Sequence, residues 1–152
     1  MQMEIEFTKK QFYTLLQMVF IADDIINGYM EPDEIREEYQ DLVQYLLGKA
    51  HDFGLGDLVV YNEEFKMYFT NKQFEEEYLE FVDEYSEYEF WETLSEKLAH
   101  RDLARKYSEK QLNKMPPQKR FKEFFILDEE YSDEFIENGL ENVVIKKKDS
   151  AE

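Results

Sequence analysis

Three short constellations in the chain carry groups that could do chemistry. His100-Arg101-Asp102-Leu103 fits the first four positions of H-R-D-L-x-x-x-N, the loop in which phosphoryl-transfer enzymes keep an aspartate base and an asparagine metal ligand. The asparagine position is Tyr107, no Gly-rich phosphate loop precedes it, and no D-F-G follows. Val143-Val144-Ile145-Lys146 has the look of the strand that carries a kinase lysine, but it comes after the H-R-D run instead of before it. Kinase chemistry is excluded. Arg101 and Asp102 read instead as a structural ion pair that anchors their helix to a neighbour, because a guanidinium fork can hold a carboxylate with two bonds.

The second constellation would be a metal site. Helical di-metal proteins combine carboxylates with Glu-x-x-His pairs. Only His51 and His100 exist, and the residues three before them are Gly48 and Lys97. Glu96 and His100 share a helix face at i, i+4, which is a surface contact more readily than a ligand pair. The third is Asp23-Asp24 inside an apolar helix, where adjacent side chains point about 100° apart, so that one can face inward or both can sit at the rim. Calcium-loop spacing is absent. Without cysteine, a G-x-S-x-G elbow or more than five glycines, the chain offers no thiol nucleophile, no serine elbow and no Gly-rich cradle. The expectation is no catalytic residue, no cofactor and no metal, with a carboxylate-only metal enzyme as a minor alternative.

Charge says more. The 152 residues carry 18 Lys+Arg against 36 Asp+Glu, a net charge of −18, which disfavours direct contact with nucleic acid or membrane and favours a basic protein partner. The charge is laid down in blocks: 12 acids and 2 bases over 63–96, 9 bases and 2 acids over 97–122, then 7 acids and no base over 128–141. These can be solvated helix faces paired locally. They can also be complementary faces of two copies, with Arg105 and Lys106 among the cations that meet an acidic face, which leads to an expected homodimer. Tyr85 and Tyr88, interleaved with acids in Y-S-E-Y-E-F-W-E, are candidate aromatic contacts. Phe90, Trp91, Leu94 and Leu98 read as one buried face. An acidic nucleic-acid mimic that occupies a basic DNA-binding protein is the alternative function, with Glu75-Glu76-Glu77 and Asp128-Glu129-Glu130 in its favour and the basic block against it.

The elements that must position these residues are helices. With 13 Phe, 11 Tyr and one Trp the chain can bury a sizeable core despite its charge. Thr8-Lys9-Lys10-Gln11 is a capping box, and Phe12, Leu15, Leu16, Val19 and Ala22 follow on one face, predicting a helix over about 9–27. Glu31-Pro32-Asp33-Glu34 opens a second, carried by Ile35, Tyr39, Leu42, Val43, Leu46, Leu47, Ala50 and Phe53. Residues 57–69 lose the helical period and predict a short hairpin or an ordered loop. Thr70-Asn71-Lys72-Gln73 caps a third helix, a break follows at Ser86, and a fourth runs to about Tyr107. Ser108-Glu109-Lys110-Gln111 caps a short helix, and Pro116-Pro117 opens the last, which carries Phe121, Phe124, Phe125, Tyr131 and Phe135 and stops at Asn138-Gly139.

Two segments, F-W-E-T-L-S-E-K-L-A-H-R-D-L over 90–103 and E-F-I-E-N-G-L-E-N over 134–142, together with the opening F-T-K-K-Q-F-Y-T-L-L, resemble a group of small uncharacterised prokaryotic proteins. The resemblance implies a helical fold and brings no activity, ligand or site residue. The expected architecture is all-α: a bundle of about five or six helices, with a short hairpin or ordered loop near 57–69, forming one domain over 1–146, with a disordered tail over 147–152. The expected role is a non-catalytic interaction or adaptor module that self-associates. With no basic, apolar leader at the start and no long apolar run, the expected compartment is the cytoplasm.

Overall fold

The computed structural model describes residues 5–146, so the tail expected over 147–152 lies outside the described residues. The chain is mostly helical: α1 (Lys9–Asn27), α2 (Glu37–Leu47), α3 (Lys72–Lys106), α4 (Glu109–Lys114) and α5 (Pro117–Asn138), with one hairpin of β1 (Val59–Asn62) and β2 (Met67–Thr70). The fold therefore sets a small antiparallel sheet beside its helices, within the 57–69 stretch where a short hairpin or ordered loop was expected. Contacts group the chain into two compact units, Met1–Tyr85 and Ser86–Glu152.

In the first unit, α1 starts at its capping box: Thr8 Oγ1 accepts from Gln11 N at 3.3 Å, and Gln11 Oε1 accepts from Thr8 N at 2.9 Å. Helix α2 is shorter than the apolar pattern suggests. Pro32 lies in a turn ahead of it, and it ends at the C-cap Gly48 instead of running on to Phe53. A Cβ at Gly48 would stand 3.4 Å from the Tyr68 ring. The chain passes instead into a 3-10 turn, Ala50–Phe53, ended by Gly54 in the left-handed region (φ 68°), which glycine adopts without strain. Phe12, Leu16, Val43, Leu47, Ala50, Leu55, Val59, Phe74 and Tyr78 form the core. Phe12 stacks on Phe53 at 4.0 Å, and Phe74 meets Tyr13 and Phe20 edge-on at 5.5 and 5.3 Å.

The hairpin is held at its turn and along β2. Its register pairs Tyr61 with Tyr68, and the turn is set by Asn62 Oδ1, which accepts from Glu64 N and Phe65 N at 2.9 and 3.1 Å. Along β2, the Gln44 side chain accepts from Tyr68 N at 2.7 Å and donates to Tyr68 O at 3.0 Å. The cap of α3 is Asn71, one residue later than the sequence pattern suggests: its Oδ1 accepts from Phe74 N at 2.9 Å while its Nδ2 donates to Asp57 O at 3.0 Å.

Helix α3 corrects a second expectation. It runs unbroken through Ser86 over 35 residues, because no Gly or Pro falls between Lys72 and Lys106 and a single serine does not stop a helix. In the second unit, its buried stripe is Ser95, Ala99 and Leu103, with Trp91, Leu94 and Leu98 half-buried. Phe90 lies outside that stripe and is 47% exposed, since each residue turns about 100° from the last. Trp91 packs on Phe135 at 5.5 Å and His100 on Phe124 at 4.5 Å, so α5 runs antiparallel to this part of α3. Phe135 is buried, while Phe121 and Phe125, expected on the same face, are exposed and stack on each other at 6.2 Å.

Candidate functional site

Polar chemistry in the second unit concentrates where α3 ends, α4 turns the corner and α5 begins. The Arg101 guanidinium donates to both Asp102 oxygens, Nε to Oδ1 at 2.8 Å and Nη2 to Oδ2 at 3.0 Å, and also to the Tyr131 hydroxyl at 2.9 Å. Tyr131 in turn donates to Asp102, and Arg105 Nη1 adds a bond to Asp102 Oδ1 at 3.0 Å. The Arg101 fork, followed by the Tyr131 hydroxyl, holds the Asp102 carboxyl well below the usual carboxylate range. Burial and the Asp102 bond raise the Tyr131 hydroxyl above its ordinary value. A second bridge lies one turn on: Lys106 Nζ and Tyr107 Oη both donate to Glu123 Oε2, at 2.7 and 3.0 Å, and lower its carboxyl. Arg101 and Asp102 thus sit in one knot, with α5 joined to it through Tyr131. Arg105 and Lys106, read from the sequence as cations for a partner, are engaged with Asp102 and Glu123.

Three more cations of the basic block lie on α4 and at the start of α5. Lys110, Lys114 and Lys119 line a cleft of about 450 Å³ together with Tyr107, Gln111, Met115 and Pro116, and no carboxylate lines it. None of the three makes an ion pair within 4.0 Å among the described residues. A larger cleft of about 650 Å³ has Leu103, Leu112, Phe121 and Phe124 as its apolar lining and His100, Glu109, Asn113 and Arg120 as its polar groups. His100 is held by its ring contact to Phe124 and by Glu96, whose Oε1 lies 3.6 Å from His100 Nε2.

Tyr85 and Tyr88, the other residues singled out from the sequence, are 55% and 59% exposed on α3 and line neither cleft. Around them Glu84, Glu87, Glu89 and Glu92 are all exposed, and no Lys or Arg falls between Gln73 and Glu96. In the first unit, Asp24 turns one oxygen inward: its Oδ2 is buried without a hydrogen-bond partner, and burial, then Asp23, raise its pKa. Tyr78 beside it is pushed up to about 12, first by burial and then by the Asp24 charge. Tyr131, Glu123 and Tyr107 were not singled out from the sequence as polar partners. The short helix with its capping box, which turns α3 back onto α5, was the one signal that could have found them.

Among the described residues no group of three His, Asp or Glu side chains could hold a metal ion, and no helix is long and apolar enough to cross a membrane. Comparison of the chain with protein families, curated proteins and solved structures gives no match.

Proposed function

We propose that the chain is a non-catalytic interaction module of the helical-bundle type that pairs with a second copy of itself. The observation that carries this reading is the lysine cleft. In a chain of net charge −18, three lysines ring one concavity that no carboxylate enters. The complementary surface is on α3, where Tyr88 stands among exposed acids and no base occurs between Gln73 and Glu96. Opposite fields of this kind steer encounter and fix orientation, while an aromatic ring laid against Met115 and Pro116 supplies burial. The same acidity opposes direct contact with nucleic acid and anionic lipid, and the absence of cysteine suits the cytoplasm.

Sedimentation velocity at low and high salt tests the pairing. The expected result is a dimer at low salt that weakens as salt screens the charges. Replacing Lys110→Glu and Lys114→Glu together should give a monomer, and mixing that variant with Glu84→Lys/Glu87→Lys should restore a mixed dimer. A wild-type chain that stays monomeric at high concentration and low salt overturns the proposal. The long base-free stretch of α3 favours one other reading, mimicry of nucleic acid. It would show as binding to a basic DNA-binding protein that DNA displaces.

A further inference from the structure

We propose that the larger cleft, formed by the end of α3, α4 and the start of α5, binds a small aromatic zwitterion, an aromatic amino acid or a compound of that build. Its volume of about 650 Å³ is that of a small-molecule site, and its lining has the expected make-up, mostly apolar with a few polar groups. Leu103 in its lining is buried, and the ring of Phe124, 4.5 Å from the His100 ring, gives an aromatic shelf. Phe121, 68% exposed, adds a second ring to the lining.

The charges select the ligand. Arg120 and Glu109 line the same cleft, yet neither makes an ion pair with the other or with any other described residue. A guanidinium fork is therefore open to a carboxylate and a carboxylate is open to an ammonium, with the Asn113 amide in the same lining. A ligand with only a carboxylate would satisfy Arg120 but face Glu109. A ligand with only an amine would do the reverse. A molecule bearing both charges next to an aromatic body satisfies both groups and covers the shelf. The lysine cleft, with three like charges and no acid, selects differently and takes no part here.

The test is an NMR titration of the full chain with L-phenylalanine, 3-phenylpropanoate and phenethylamine. L-phenylalanine is expected to move the amide signals of Leu103, Leu112 and Phe124 saturably. Each single-charge analogue should bind about tenfold more weakly, the factor expected for one lost charge-assisted bond. Arg120→Gln and Glu109→Gln, both at exposed positions, should each weaken L-phenylalanine by a similar factor while leaving the rest of the spectrum in place. No saturable shift with L-phenylalanine overturns the proposal. So does a propanoate that binds as well as the amino acid, or binding that neither substitution changes.

Discussion

Tyr131 closes a ring of three side chains in the second unit: it accepts from Arg101 and donates to Asp102, to which Arg105 adds a further bond. Because Arg101 is 43% exposed at its side chain and Asp102 27%, the pair sits in the regime of surface ion pairs, raised somewhat by its two-bond geometry. Arg101→Ala is expected to cost about 0.5–1 kcal/mol, read by chemical denaturation at neutral pH. Asp102 has a depressed folded pKa, so its contribution is fully present above the ordinary carboxylate value of ~4 and is lost as pH falls below it toward the folded value. The wild type and Arg101→Ala should therefore converge in acid. A difference that grows on acidification would contradict the knot. At this scale the sequence supplied the adjacent Arg and Asp, since they sit side by side. It could not supply Tyr131, 29 residues away, because that partnership exists only once α4 has turned the chain back.

Among the elements, the hairpin owes its place to a side chain. A two-stranded sheet is marginal alone, and here Gln44 from α2 presents an amide that both donates to and accepts from Tyr68, as a neighbouring strand would. Gln44→Leu removes both bonds and leaves a part-buried backbone pair to water, with an expected cost of about 1–3 kcal/mol. Hydrogen exchange at the Tyr68 amide should quicken, and an unchanged rate would assign the hairpin's stability to its apolar contacts alone. The elements themselves were largely legible. Capping boxes at Thr8 and Ser108 marked true helix starts, and the lost period over 57–69 marked the strands. Two boundaries were not. A run of apolar spacing carried the second helix across Gly48, where the chain turns, and Ser86 suggested a stop that only Gly or Pro would have enforced. Periodicity reports which face is apolar; it does not report whether something covers that face, which is why Phe90, Phe121 and Phe125 read as core and are exposed.

At the scale of the whole molecule, two compact units share one helix sequence but not one chromophore set. The eleven tyrosines are spread along the chain, whereas the single tryptophan, Trp91, belongs to Ser86–Glu152. Its indole donates to Glu87 Oε1 at 2.6 Å and its rings lie against Phe135. Tryptophan emission therefore follows the second unit, while far-ultraviolet circular dichroism sums the helices of both. If the units unfold together, the two denaturation curves superimpose; if each has its own stability, the emission curve shows one transition and the dichroism curve two. The chain thus carries a built-in optical label for one of its units.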